Sequence, residues 1–113
     1  MVTPEIKRVV EHYLLAVRRS GVNATRAVVY GSHARGEAGP ESDVDVLIIA
    51  PEFDGVYDSA LIDLLWGLRA HTDSRIEPLA VGERQWREDD TSAIIEMAHR
   101  EGYELLAPQV VNP

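Results

Sequence analysis

The feature that most constrains this chain is a pair of aspartates, Asp43 and Asp45, at the start of an apolar run that ends at Ile49. The run is rich in Val, Ile and Leu and is stopped by Pro51, so it is predicted to be a β-strand. Because side chains alternate across a strand, the two aspartates are predicted to share one face. The rest of the strand is apolar on both faces, which favours a position inside a sheet.

Two carboxylates at the start of an interior strand carry an electrostatic cost. They repel each other, and burial removes part of their hydration. A divalent cation offsets both costs, and carboxylate oxygens with open positions for water and phosphate are the ligands that Mg²⁺ prefers. Asp43 and Asp45 are therefore candidate metal ligands.

A shorter apolar run, Ala27 to Tyr30, precedes the aspartates and is predicted to be another strand because Gly31 stops it. Gly31 can adopt the positive φ of a tight turn and lets a ligand approach the backbone. Ser32 offers a hydroxyl and its own N–H at the start of a short helical turn, an arrangement that suits an anion. The turn between the two strands is therefore a candidate phosphate-binding loop.

Two other side chains of this connection have different expected roles. Arg35 supplies a charged fork for phosphate, although a surface ion pair with Glu37 or Glu41 explains it equally well. His33 is predicted to be a surface turn residue rather than a catalytic one. Arg35 therefore joins the candidate nucleotide-binding residues, and His33 does not.

The string Gly31-Ser32-His33-Ala34-Arg35-Gly36, followed by Ser42-Asp43-Val44-Asp45-Val46, resembles the signature of the nucleotidyltransferase superfamily that includes DNA polymerase β. It is most similar to the smallest members, the minimal nucleotidyltransferase (MNT) domains, which are often antitoxins paired with HEPN-domain toxins. The resemblance implies that the two aspartates hold one or two Mg²⁺ ions and that the Gly-Ser pair seats the phosphates of ATP. It also implies a third acidic residue, usually Asp, on a later strand.

The candidate for that third residue is Glu77, in a predicted strand from Arg75 to Val81. If this strand lies beside the one that carries the aspartates, Glu77 is expected to bind metal or to deprotonate an acceptor hydroxyl. Glutamate is one methylene longer than aspartate, and the adjacent Pro78 removes a ladder donor. A solvated carboxylate on an edge strand explains Glu77 equally well.

The remaining patterns predict further helices, loops and a short last strand. In chain order they are a helix over Thr3 to Ser20, a loop over Pro51 to Tyr57, a helix from Asp58 or Ser59 to about His71, a polar segment over Gly82 to Asp90 anchored by Trp86, a helix from Thr91 or Ser92 to about Glu101, and a strand over Tyr103 to Leu106. This order predicts a small α/β (α+β) domain with a mixed sheet and helices mainly on one face, as in the nucleotidyltransferase fold. Residues 1–107 are predicted to form this single domain, with residues 108–113 as a loose tail.

Composition narrows the classes of function. The chain has 113 residues and a net charge of −8, which argues against a broad nucleic-acid surface but suits a basic protein partner. It has no cysteine, which excludes disulfides and thiolate metal sites. No apolar run approaches membrane-spanning length and no signal peptide is evident, so no membrane association is expected and the predicted compartment is the cytoplasm.

The resemblance implies a protein adenylyltransferase that moves AMP from Mg-ATP to a hydroxyl, most simply a tyrosine of a cognate HEPN toxin. Larger family members add a helical domain that shapes the acceptor pocket, and 113 residues leave no room for one. A second protein is therefore expected to complete the acceptor side. Two alternatives remain open: an antitoxin that neutralises its toxin by binding alone, and an adenylyltransferase of small molecules such as antibiotics. Size and acidity make a chain-extending polymerase the least favoured.

Overall fold

A four-stranded mixed sheet lies at the centre of the computed structural model, which describes residues 2–107. The predicted tail, residues 108–113, lies outside the described residues. The strands are β1 (Arg26–Val29), β2 (Val44–Ile49), β3 (Ile76–Val81) and β4 (Tyr103–Leu106), and the helices are α1 (Pro4–Arg19), α2 (Ser32–Arg35), α3 (Ser59–Gly67), α4 (Glu83–Glu88) and α5 (Ala93–Glu101). Two 3₁₀ turns, Pro51–Asp54 and Leu68–His71, follow β2 and α3.

The sheet has the strand order β3-β2-β1-β4. β1 runs antiparallel to both β2 and β4, whereas β2 and β3 are parallel. β2, which contains Asp45 and begins directly after Asp43, is therefore an interior strand, as its apolar faces predict. The mixed sheet confirms the predicted fold class.

The larger hydrophobic core lies on the sheet face that α1 and α3 cover. α1 begins as predicted, because the Thr3 hydroxyl accepts a hydrogen bond from the Ile6 N–H at 3.2 Å and Pro4 occupies the first turn. The buried Tyr13 hydroxyl donates to the Leu65 carbonyl at 2.6 Å and so joins α1 to α3. The predicted second helix is α-helical only to Gly67 and finishes as the 3₁₀ turn.

A smaller core lies on the opposite face, where α4 and α5 cover β1 and β2. Helices therefore cover both faces of the sheet, whereas the sequence predicted them mainly on one, because Trp86 and the apolar side of α5 need a buried surface of their own. Trp86, the predicted anchor of the polar segment, is buried there on α4. Its ring stacks on His99 of α5 with centroids 3.6 Å apart, and His99 Nε2 lies 2.8 Å from the Trp86 carbonyl oxygen. These contacts fix the two short helices to each other.

Asp54 holds the N-terminus of α4 from the preceding 3₁₀ turn. Its carboxylate accepts hydrogen bonds from the backbone N–H of Arg84 at 2.8 Å and of Gln85 at 3.1 Å. These hydrogen bonds lower the pKa of Asp54 below its ordinary value of 3.8, and the bond from the Arg84 N–H has the largest effect. Gly82 leaves the necessary space, because a Cβ there would lie 1.8 Å from Asp54 Oδ1. Asp54 therefore caps a helix from outside it.

Replacement of Asp54 by alanine is expected to lower the free energy of unfolding by about 1 kcal/mol, because two backbone donors lose their acceptor. Since the folded pKa is depressed, the wild-type contribution is complete above the ordinary aspartate pKa and is lost as the pH falls through the folded value. Urea unfolding at neutral pH and near pH 3 measures both effects, with the exposed Asp63→Ala variant as control. An equal loss at both pH values would contradict this capping role.

Candidate active site

A row of three polar side chains crosses the sheet where β1 ends and β2 and β3 begin. Asp45 pairs in register with Glu77 on the parallel neighbour β3. On the other side, the Tyr30 N–H donates to the Asp45 carbonyl at 3.1 Å, which continues the β1–β2 register. Paired positions present their side chains to the same face. The structure therefore brings Glu77 beside Asp45, as predicted if the two strands were neighbours.

The acidic side chains of Asp43, Asp45 and Glu77 lie within electrostatic range of one another. The charges of both aspartates act on Glu77. Burial raises the pKa of Glu77, and the charge of Asp43 raises it further. Burial likewise raises the pKa of Asp45, followed by the charge of Asp43. The cluster therefore carries the crowded negative charge that a cation offsets.

Pro78 has no N–H to donate to a neighbouring strand, but this does not weaken the pairing of β3 with β2. The Val44 N–H donates to the Arg75 carbonyl and the Ala50 N–H donates to the Val81 carbonyl. The backbone N–H and C=O groups of the odd-numbered β3 residues therefore point toward β2. Because these groups alternate in direction along a strand, the backbone of Pro78 points toward the open edge of the sheet. An edge position is where a sheet tolerates proline, so Glu77 stays in register beside Asp45.

Gly31 provides the space in which the Asp45 carboxylate lies. A Cβ on Gly31 would lie 2.7 Å from Asp45 Oδ2, closer than side chains approach. Gly31 also has φ 75° and ψ −149°, a region that only glycine adopts without strain. The predicted positive φ is confirmed. The Gly-Ser turn and the acidic cluster are therefore in direct contact.

Ser32 begins the single helical turn α2, directly after Gly31. The prediction that His33 is a surface turn residue is wrong, because its side chain is only 9% exposed. Its Nε2 lies 3.3 Å from the Ser42 carbonyl oxygen, at the other end of the connection. His33 therefore ties α2 to the segment that leads into Asp43. Its charge also lowers the pKa of Asp45, against the stronger effects of burial and Asp43.

Arg35 is held at the surface by two carboxylates. Its Nε lies 2.8 Å from Glu37 Oε1, the ion pair that the sequence offered as an alternative. A second ion pair joins Arg35 to Glu101 at 3.0 Å, across to the end of α5. Arg35 also lowers the pKa of Asp45, after burial, Asp43 and His33. The guanidinium is therefore close enough to affect the site but is already paired.

Tyr30 is a site residue that the sequence did not single out. It is half-buried, and its pKa is raised by burial and then by the charges of Asp45 and Glu77. Its phenol therefore lies beside the acidic cluster. The signal was available in the sequence, because Tyr30 ends the strand that immediately precedes Gly31.

The donor atoms of this cluster fit Mg²⁺, since hard carboxylate oxygens are its preferred protein ligands. The side chains are not yet arranged around one point. Within residues 2–107, no group of three or more His, Cys, Asp or Glu side chains is placed to hold a metal ion. Metal binding by all three would require side-chain rotation, whereas the strands are already in position.

Comparison with known proteins identifies the family. The sequence profile of the nucleotidyltransferase domain matches residues 11–99, so the chain belongs to the nucleotidyltransferase domain family. The match includes the Gly-Ser turn, both aspartates and Glu77. None of the described helices is long and apolar enough to span a membrane.

Related sequences include the bifunctional uridylyltransferase/uridylyl-removing enzymes of Bordetella pertussis and Bordetella parapertussis, at 35% and 34% identity. Each match covers 80% of this chain but only 11% of the relative. The chain thus corresponds to a small part of those enzymes.

Solved structures share the fold. A nucleotidyltransferase structure from Sulfolobus solfataricus has a TM-score of 0.53 at 18% identity, over 69% of this chain and 68% of that one. A toxin–antitoxin structure with AMP-PNP has a TM-score of 0.58 at 19% identity, over 88% of this chain and 74% of that one. A variant of the MntA-HpeT toxin–antitoxin has a TM-score of 0.56 at 16% identity, over the same shares of 88% and 74%.

Proposed function

We propose that this protein transfers AMP from Mg-ATP to a hydroxyl of a partner toxin, most simply a tyrosine of a HEPN toxin, and thereby acts as its antitoxin. The observation that carries the proposal is the meeting of Asp43, Asp45 and Glu77 beside the Gly31 turn. Membership of the nucleotidyltransferase family supports the reaction class. The likeness to a toxin–antitoxin structure with AMP-PNP supports the partner and the adenine nucleotide.

Each site residue has a role in this reaction. Asp43 and Asp45 would hold Mg²⁺, which supplies positive charge against the phosphate oxygens. The backbone at Gly31 and the hydroxyl of Ser32 would position the triphosphate. Glu77, in register beside Asp45, would accept the proton of the acceptor hydroxyl. The acceptor oxygen then bonds to the α-phosphorus, and the bond from that phosphorus to pyrophosphate breaks.

The first experiment is co-expression of this chain with the protein encoded next to it, followed by intact-mass measurement of that partner. We expect a mass gain of one or more AMP units, and the same partner from cells with the Asp43→Asn/Asp45→Asn variant should show none. Peptide mapping then locates the modified hydroxyl. The size of the increment also tests the base, because UMP, the nucleotide that the Bordetella relatives suggest, has a different mass. An unmodified partner with the wild-type chain would count against the proposal.

A second candidate is an antitoxin that neutralises by binding alone. It is favoured by one observation, namely that the carboxyls of the described residues 2–107 do not converge on a metal position. The two candidates differ in one outcome. A chain that carries Asp43→Asn/Asp45→Asn would still protect cells from the toxin if binding suffices, and would fail to protect them if transfer is required.

A further inference from the structure

An apolar groove of about 360 Å³ runs along the open edge of β3, between that strand, α3 and the loop after β2. Four of its lining side chains are large, hydrophobic and exposed. They are Val56 at 93%, Tyr57 at 76%, Trp66 at 42% and Leu79 at 39% exposure. Within the described residues, only Ile94 and Leu106 are comparable, and neither lines this groove. Concentration of exposed apolar surface in one concave patch is typical of a binding site.

The edge of the sheet limits how an occupant can bind in the groove. Pro78 faces the open edge and presents no N–H there, which hinders addition of another strand. Val56, Tyr57 and Trp66 line the other wall with side chains. Recognition through apolar side chains in a groove is the mode by which amphipathic helices bind. The groove therefore favours a helix over an added strand.

The charges around the groove favour a basic occupant. Glu52 and Asp58 line it, whereas Arg69 lies over the Trp66 ring at 4.8 Å without lining the groove. Glu52 Oε2 accepts from the Asn23 N–H at 2.7 Å and Oε1 is a buried atom, so Glu52 contributes negative charge to the groove rather than a free acceptor. Since the chain carries a net charge of −8, a second copy would be repelled. A segment with Lys or Arg beside its apolar face complements the groove.

One wall of the groove belongs to β3, the strand that carries Glu77. Leu79, on its wall, is two residues beyond Glu77 on the same strand, a distance of about 7 Å along the backbone. Both side chains project to the same sheet face. The α3 wall of the groove lies on the opposite sheet face from Glu77, so the groove reaches the face of the acidic cluster only through Leu79.

We propose that this groove docks a basic amphipathic helix of the acceptor protein. The inference rests on the proposed function for the identity of the occupant. It assigns the acceptor-side contact to Val56, Tyr57, Trp66 and Leu79, which are separate from the proposed ATP-binding residues.

The test measures the Kd between purified chain and the protein encoded next to it, without nucleotide. We expect Val56→Ser/Tyr57→Ser to weaken binding by at least about 30-fold, the loss typical of an aromatic anchor at a hot spot. The matched control is Leu106→Ser, an exposed apolar residue at 72% exposure on the opposite edge strand, which should bind like wild type. Both variants should keep the wild-type melting shift with Mg-ATP.

The outcomes separate this inference from the proposed function. Unchanged binding by the groove variant, or no binding by wild type, would overturn the docking inference. Self-association that sedimentation detects in wild type and that Val56→Ser/Tyr57→Ser abolishes would overturn it in favour of a second copy. Tight binding that the groove variant loses, with no nucleotide transfer by wild type, would reject the proposed function and leave the docking inference supported.

Discussion

Asp45→Asn is expected to reduce nucleotide transfer by at least about 100-fold, the scale of losing one charge-stabilising group at the reacting phosphate. Asp45 is central to the site because it pairs with Glu77, lies against Gly31 and interacts with Asp43. The measurement is the initial rate of labelled AMP transfer to the partner at saturating Mg-ATP. Asp63→Asn on α3, whose helix covers the opposite sheet face, is the matched control and should retain the full rate.

The same variant should be more stable than wild type when no metal is present. Burial and the charge of Asp43 raise the pKa of Asp45, so its ionised form opposes folding at neutral pH. A neutral amide removes this repulsion, and we expect the melting temperature in EDTA to rise by about 2–4 °C. Stabilisation by Mg-ATP, about 2.7 kcal/mol for wild type at 100 times its Kd, should be lost. A variant that melts lower in EDTA and keeps its Mg-ATP shift would contradict the assigned role.

Gly31→Ala is expected to have the second largest effect, because it places a methyl group where the Asp45 carboxylate lies. The new Cβ would be 2.7 Å from Asp45 Oδ2, so the carboxylate must move. The backbone at φ 75° adds a strain of about 1–3 kcal/mol for a residue other than glycine. Transfer should fall by about 100-fold or more, and urea unfolding should show the loss of stability.

Gly21→Ala separates these two causes. Gly21 also has a positive φ, 101°, but a Cβ there would meet no atom within 4 Å. It should therefore lose stability through the backbone alone and keep its transfer rate. Equal transfer by Gly31→Ala and Gly21→Ala would show that the contact with Asp45 does not matter to the reaction.

The sequence predicted the elements well because local signals marked them. Thr3, Asp58 and Ser92 cap the three longer helices as expected, and Gly31 stops β1. The spacing between the Gly-Ser pair and the aspartates was sufficient to place both in one site. Such signals act within a few residues, so they can be read without knowledge of the fold.

The contacts that the sequence missed join residues far apart in the chain. The ion pair of Arg35 with Glu101 depends on how α5 packs on the sheet, which no local pattern reveals. Burial of His33 depends on the path of the connection to Ser42. The sequence predicted Glu77 beside Asp45 only on the condition that the two strands are neighbours, which β2 and β3 are. Register between distant strands is set by the whole core rather than by either strand.

The sheet order has a consequence for synthesis of the protein on the ribosome. β1 is synthesised early, but one of its two hydrogen-bonding edges pairs only with β4. In that pair Val29 lies opposite Tyr103, which is more than 70 residues later in the chain. Until β4 emerges, the nascent chain exposes an unpaired strand edge, the type of surface that associates with other chains. Glu101, which pairs with Arg35, emerges just before β4. The sheet and the surroundings of the site are thus completed together, at the end of translation of this domain.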